Sequence, residues 1–447
     1  MTGTRRFPTR RVRLFLLGYG LLWAVALPLV LAYLWWRGRR DRLYAQHPGE
    51  RFGVYARPPL PGAVWVHAVS LGELRSAAPL IRALLDRGDR VVTTHFTPAG
   101  RREAMAVFAG DIAVGRLCPV WVPLEYDWVY RRFFRAFRPV CGLVMEIEIW
   151  PRMIASAHRR GVPLFMCNAQ YPLKSLERDR ARAPVRAALM TGFAGAFVKS
   201  DLQAARFAGV GVPAIEVTGE LRFDQPIPEA QLLAGRRARA WLGAAARPVV
   251  ALASVVEGED ALFIAAIGAA RAAHAAAGQE PPLFVYIPRA PERFGDVARL
   301  LAQAGLATLR RSDGFDAGFA PVGMPPRPLD VLLGDSLGEM YAYLALSDRV
   351  VVGGGFTPKG SHNISEALSL GKAVMTGPDI HTIEYPAMEA LAAGVLTRLK
   401  DEAALRAALA PDHPPDPPAD RIATFFALHC GAVAKTLAAL DRRLTSR

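Results

Sequence analysis

Apolar positions along this chain follow two different patterns. From Leu14 to Trp36 there are 23 residues without a charge. At 1.5 Å per residue, a helix of that length covers about 34 Å, enough for a hydrocarbon core of about 30 Å. Arg5, Arg6, Arg10, Arg11 and Arg13 precede the run, and Arg37, Arg39, Arg40 and Arg42 follow it. Tyr33, Trp35 and Trp36 would form an aromatic belt at its second interface. The pattern predicts an inserted anchor. A helix lying in the interface, kinked at Pro28, is the second reading. A cleaved signal is the third, because the run is long and no small-x-small site follows it. Arginines on both sides leave the orientation open.

From about residue 60, short apolar runs alternate with helical patterns. Val64–Val69, Arg90–Phe96, Val140–Met145, Pro163–Asn168 and Ala196–Val198 read as buried strands, with a helix pattern over Leu74–Leu85 after the first. A second series comprises Val249–Ala253, Leu283–Ile287, Val331–Leu333, Arg349–Val352 and Ala373–Met375. Strands alternating with helices predict an α/β architecture, here two doubly wound, Rossmann-like domains of about five parallel strands each. Residues 1–43 are then a membrane anchor with basic flanks, and 44–224 an N-terminal α/β domain. Residues 225–248, carrying Pro226, Pro228 and Pro248, read as a linker. Residues 249–447 are a C-terminal α/β domain ending in a helix from about Arg421 to Leu440. Since each half has its own core, removing 1–43 is expected to release a folded protein. Two such domains facing each other leave a cleft lined by strand carboxyl ends, where open α/β sheets bind ligands.

Composition narrows the class. At 52% hydrophobic and 21% charged residues, the chain is no disordered polymer. Its four cysteines, Cys118, Cys141, Cys167 and Cys430, form no CxxC pair, which excludes a disulfide scaffold and a cysteine zinc site. Ten of the arginines behind the net charge of +15 lie in residues 1–51, opposed there only by Asp41 and Glu50. A basic end beside an apolar run points to an anionic membrane surface; no folded basic stripe suggests nucleic acid.

Several strong motifs are missing: the phosphate loop GxxxxGK[ST], HExxH, GxSxG, and a GxGxxG after the first strand. Ser-Leu-Gly-Glu occurs twice, as Ser70–Glu73 and Ser336–Glu339, each time between a strand and a helix pattern. One reading is a capping box; the other is an acid/base position at a helix start facing a cleft. Glu146 and Glu148 close a strand before Trp150-Pro151, and their i, i+2 spacing places both on one face of an extended chain. Gly353-Gly-Gly355 lets backbone amides approach a ligand, with Ser361, His362 and Asn363 leading into a helix over Ile364–Leu370, an arrangement suited to phosphate. Glu366 could bond ribose hydroxyls. Arg289 and Arg293 could hold a base or phosphate, or pair with Glu292 at the surface. A lone His362 has no partner at metal-ligand spacing.

Taken together and in order, these motifs resemble the 3-deoxy-D-manno-octulosonic acid (Kdo) transferases of lipopolysaccharide synthesis. The resemblance runs from the apolar helix to about Asp401. It rests on His67–Glu73, Thr97-Pro-Ala-Gly100, Met145–Pro151, Gly219–Asp224, Glu257-Gly-Glu259, Pro288-Arg289 with Pro291–Phe294, Gly334–Glu339, and Gly360–Glu366. It implies a GT-B fold with an N-terminal membrane helix, CMP-Kdo as donor, and a lipid A precursor as acceptor. It also implies the cytoplasmic side of the inner membrane as the location. It implies Glu73 as general base, with Glu146 and Arg222 steadying the transition state. Donor contacts fall on Pro288, Arg289, Leu337, Gly338, Glu339, Asn363, Ile364, Ser365 and Glu366. No metal or other cofactor is expected, because helix N-termini and arginines could balance the single phosphate of the leaving group. Departures from the family pattern stand at Gln170, Pro172, Val256, Ala290 and Arg222, the last replacing a lysine. The alternatives are another GT-B envelope transferase with a different nucleotide sugar, and a membrane-tethered CMP-binding homologue without transfer. The helix N-terminus beside Glu73 is expected to lower its pKa.

Overall fold

Runs of Val, Ile and Leu without alternation suit strands covered on both faces, and that is what they form. The computed structural model describes residues 7–56, 60–182 and 184–445. Arg5 and Arg6 of the basic flank lie outside the described residues. The chain divides at Gln225/Pro226 and again at His429/Cys430 into two units.

The first unit carries β1 (Val64–His67), β2 (Val91–His95), β3 (Leu117–Trp121), β4 (Cys141–Met145), β5 (Leu164–Ala169), β6 (Gly195–Val198) and β7 (Ile215–Val217). They pair in parallel in the order β3-β2-β1-β4-β5-β6-β7. Successive residues of β1 serve opposite faces. Trp65 joins Phe133, Met153 and Leu189 in one core, while Val64 and Val66 join Leu80, Leu84 and Leu440 in the other.

The second unit carries β8 (Val249–Val255), β9 (Leu283–Pro288), β10 (Thr308–Arg310), β11 (Val331–Leu333), β12 (Arg349–Val352), β13 (Ala373–Thr376) and β14 (Leu396–Arg398). Their parallel order is β10-β11-β9-β8-β12-β13-β14. Each sheet thus has seven strands, not about five. In both, the two strands absent from the sequence reading are the edges. β7, β10 and β14 are three residues long, and β3 carries Pro119, a residue suited to an edge because it donates no ladder hydrogen bond.

Three boundaries differ from expectation. Residues 225–248 are no free linker: they contain the helix Glu229–Trp241, which packs in the second unit. There a Cβ at Gly235 would lie 2.3 Å from the Ala342 carbonyl oxygen, so the contact is backbone-close. The final helix is two helices, Ala419–His429 and Ala432–Thr445, broken where Gly431 adopts φ +82°. The second belongs to the first unit. Asp224 accepts hydrogen bonds from the Gly431 and Val433 amides at 2.7 and 2.6 Å, and Ala432, Ala439 and Leu440 enter the core.

The N-terminal helix, Arg10–Arg40, is long and apolar enough to cross a membrane. It does not stand apart from the first unit but packs against it. Val12 and Leu16 are part of the first unit's core, and Arg152 Nη2 donates to the Leu16 carbonyl at 2.5 Å.

Candidate active site

In the first unit, the loops at the carboxyl ends of β1, β2, β4 and β7 carry polar groups. Ser70 caps the helix Leu71–Asp86, its hydroxyl accepting from the Glu73 amide at 3.3 Å. The Glu73 carboxylate accepts in return from the Val69 amide at 2.7 Å and the Ser70 hydroxyl at 3.0 Å. The capping box is real. Thr97–Gly100 supports it from behind. The Thr97 hydroxyl donates to the Val69 carbonyl, and a Cβ at Gly100 would stand 3.1 Å from the Ser70 carbonyl group.

The cap does not lower the pKa of Glu73, contrary to the expectation from the helix N-terminus. Burial first, then the Glu148 carboxylate, raise its pKa to about 7, with Glu146 adding to the push; the bonds from Val69 and Ser70 offset only part. Loss of hydration and two like charges outweigh the terminal peptide dipoles.

Glu146 and Glu148 do not lie on an extended strand. β4 ends at Met145, and Glu146 turns the chain at φ +56°. Trp150 Nε1 holds Glu148 at 2.7 Å. His67 meets the Trp150 ring edge-on, with centroids 5.7 Å apart, and burial together with His95 lowers its pKa to about 3, so it stays neutral. Arg222 follows β7. Its Nε donates to the Ser76 hydroxyl at 2.7 Å, and its Nη2 stands 3.9 Å from Glu146 Oε1. Glu73, Glu146 and Arg222 are therefore assembled in one unit.

The sequence reading gave no role to the groups that hold Arg222. Glu220 is buried and pairs with Lys199 at 2.6 Å, and Asn168 donates to it at 2.9 Å while accepting from the Leu221 amide. Burial alone would raise the Glu220 pKa; Lys199 and then Arg222 pull it below its ordinary value. The signal was Gly219-Glu220 just ahead of Arg222. Beside the Glu146–Trp150 loop lies an apolar cavity of about 390 Å³, lined by Phe15, Ile149, Pro151, Val185 and Leu189 among others.

In the second unit, the second Ser-Leu-Gly-Glu behaves differently. Glu339 is the N-cap residue of the helix Met340–Leu346 and not its third position, and it binds Arg311 and the Ser336 hydroxyl. Leu337 is 69% exposed, and the Gly338 carbonyl accepts from Gln231. Pro288 ends β9, and Arg289 projects exposed beyond it. Arg293 pairs with Asp260 and the Val255 carbonyl, not with Glu292.

The glycine run does not offer its Gly353 and Gly354 amides to a ligand, the first being bonded to the Ala253 carbonyl. Glu259 fills the cradle, accepting from the Gly354 amide at 2.7 and 2.8 Å and from the Phe356 amide at 3.0 Å. The glycines are needed because a Cβ at Gly353 or Gly355 would strike Ser254 O or Ser361 Oγ at 2.7 and 2.4 Å. The following helix is only Ser365–Ser369, shorter than Ile364–Leu370, and Asn363 caps its first amide at 3.0 Å. Ile364 and Ser365 are buried, and Glu366 approaches Tyr341, whose pKa is raised to about 12 by burial and then by that carboxylate. Ser365 Oγ and His362 Nε2 are buried polar atoms with no hydrogen-bond partner among the described residues. Burial first and then Arg289 lower the His362 pKa to about 4, which places Arg289 near the Gly360–Glu366 segment. Among the described residues, no group of three or more His, Cys, Asp or Glu side chains could hold a metal ion.

Residues 46–225 match the family model described as 3-deoxy-D-manno-octulosonic-acid transferase (kdotransferase). The chain is 41% identical over 431 residues to the 3-deoxy-D-manno-octulosonic acid transferase of Bordetella pertussis, covering 93% of this chain and 96% of that protein. The Haemophilus influenzae protein of the same name is 29% identical, with 82% and 83% covered. In fold, the chain resembles a UDP-GlcNAc 2-epimerase from Neisseria meningitidis (TM-score 0.50, 13% identity, 85% and 100% covered). It also resembles UGT73P12 of Glycyrrhiza uralensis (TM-score 0.56, 9% identity, 87% and 96% covered).

Proposed function

The chain belongs to the 3-deoxy-D-manno-octulosonic acid transferase family and is a glycosyltransferase of GT-B fold; from that premise we propose that it moves Kdo from CMP-Kdo to a lipid A precursor, with inversion. The acceptor hydroxyl oxygen attacks C2 of the sugar, and the bond from C2 to the phosphate oxygen breaks. CMP leaves with that electron pair, and Glu73 takes the acceptor proton. Arg222 and Glu146 steady the oxocarbenium-like transition state, the guanidinium fixed by Ser76. The donor lies against Pro288, Arg289, Leu337, Gly338, Glu339 and Asn363–Glu366. The unpartnered Ser365 Oγ and His362 Nε2 are suited to a polar ligand there.

The observation that carries this reading is Glu73. It is buried, fixed in one pose by Val69 and Ser70, paired with no cation among the described residues, and brought to a pKa of about 7. A general base works best when its pKa lies near the operating pH. The apolar cavity beside Glu148 and Trp150 suits the alkyl part of a lipid acceptor. A CMP-activated donor and a lipid acceptor meet at the cytoplasmic face of the inner membrane, to which the N-terminal helix attaches the enzyme. Incubation of the full chain with CMP-Kdo and lipid A precursor should release CMP and add Kdo mass to the lipid. Binding of CMP without either product would overturn the reading in favour of a non-transferring homologue.

A further inference from the structure

The helix Arg10–Arg40 is apolar all round, the pattern of a bilayer span. Its contacts say otherwise. Near its start, Val12 and Leu16 are buried in the first unit's core, the Leu16 carbonyl accepts from Arg152, and the Trp23 carbonyl accepts from the Tyr126 hydroxyl at 2.7 Å. Past its end, Asp41 pairs with Arg102 at 2.8 Å, and Tyr44, bonded to Arg37, stacks on Trp121. Both ends are thus fastened to the same unit. The stretch between Trp23 and Arg37 covers only about 20 Å at 1.5 Å per residue, short of a hydrocarbon core of about 30 Å.

The two faces of the helix have different neighbours. At about 100° per residue, Val12, Leu16 and Trp23 share the docked face, and Leu14, Leu17, Leu21, Val25 and Leu29 form the opposite one. Those five are 70–73% exposed. Arg11 and Arg13 stand at one end. At the other, Arg39 and Arg40 stack on Trp35 and Trp36 at 4.3 and 4.6 Å. Protein covers the side that an interfacial helix ordinarily gives to water, and the free side is an apolar stripe with cations at both ends.

We propose that this helix lies in the plane of an anionic lipid surface, its Leu14–Leu29 stripe among the acyl chains, and does not cross the bilayer. The flanking arginines meet acidic headgroups at both ends of one leaflet. A second copy of the chain is the rival occupant, but a dimer contact would gain nothing from seven arginines (Arg10, Arg11, Arg13, Arg37, Arg39, Arg40 and Arg42) around it.

The test uses the full chain, with Cys430→Ser as background, in sealed phosphatidylethanolamine–phosphatidylglycerol vesicles. Fluorophores at Leu14→Cys, Leu21→Cys and Leu29→Cys should be quenched at one shallow depth, about 5–10 Å below the headgroup boundary. Arg11→Cys and Arg40→Cys should react with an impermeant thiol reagent from the same side. A Leu21 site about 10 Å deeper than Leu14, as 1.5 Å per residue requires of a span, with the two arginine positions on opposite sides, would overturn the inference. So would a Leu21→Glu variant that turns a dimer into a monomer while vesicle binding is unchanged. Kdo transfer to detergent-dispersed acceptor, measured on the same variants, separates this inference from the proposed function. Lost transfer with uniform depth counts against the function alone, and retained transfer with graded depth counts against the helix placement alone.

Discussion

Ser70–Glu73 and Ser336–Glu339 are the same four residues, and the fold makes different things of them. In the first, the glutamate is the third residue of its helix and closes a capping box. Its remaining neighbours are carboxylates, and its pKa rises to about 7. In the second, the glutamate precedes its helix and is bound by the Arg311 guanidinium. A tetrapeptide can specify a turn. Whether its acid stands beside a like charge or forms one half of an ion pair depends on which distant side chain is aimed at it. Here those are Glu148 for the first copy and Arg311 for the second.

The contrast can be broken in five ways, from the largest expected effect down. Removing residues 1–43 strips Val12, Leu16 and the Leu16 carbonyl from the unit that holds the first copy. That unit should melt or aggregate, seen as loss of one calorimetric transition, while the second unit still unfolds cooperatively. Next, Glu73→Gln should cut turnover about 100-fold or more, the usual worth of general base catalysis. Gln still accepts the Val69 amide, so the fold is kept. The raised pKa fixes the sign of the stability change. The folded protein holds a proton between pH 4.5, the ordinary value, and about 7 that the unfolded chain releases. The stabilising effect of Glu73 is complete below pH 4.5 and lost as pH rises through 7, so the variant should melt higher than the parent at pH 8 and level with it at pH 4. Glu339→Gln should leave turnover near normal and weaken donor binding.

Third, Arg311→Leu strands Glu339 without its cation, and about 2–4 kcal/mol of stability should be lost from the second unit in denaturant titrations. Among the described residues, Glu73 has no comparable cation to remove. Fourth, kcat/KM should rise with pH through about 7 as Glu73 ionises. Trp150→Phe frees Glu148 from its 2.7 Å bond. With that carboxylate less fixed, the Glu73 pKa falls and the acid limb of the profile should move to lower pH by a few tenths of a unit. Glu339→Gln should leave the limb where it is. Last, Glu366→Ala should weaken CMP binding, measured calorimetrically, by about 0.5–1.5 kcal/mol, the net worth of one hydrogen bond.

The central strands of both sheets were legible because burial on both faces forces unbroken apolar runs, as in Val64–His67 and Val249–Val255. The edges were not. Leu396–Arg398 is too short to show a period, and Pro119 interrupts a strand that is buried all the same. The helix start at Ser70 was readable as a local signal, whereas the direction of the Glu73 pKa shift was not. It comes first from burial in the folded unit, then from Glu148 and Glu146, more than seventy residues along the chain. The glycine run misled for a similar reason. The run does have backbone amides to offer, but Glu259, from another strand end, has already taken those of Gly354 and Phe356.

The terminal helix has a consequence for how the chain is made. Ala432, Ala439 and Leu440 seal one face of the first sheet, and Arg442 and Arg443 pair with Glu216 of β7. On the ribosome, at about 5–20 residues per second, everything from Pro226 to His429 is synthesised before those residues exist. The unit begun first is therefore completed last, and its Leu80–Leu84 surface waits uncovered for the length of a whole domain's translation. A stop codon in the last eighteen positions, or a bulky tag fused there, would be felt at the opposite end of the gene's product, in the unit that holds Glu73.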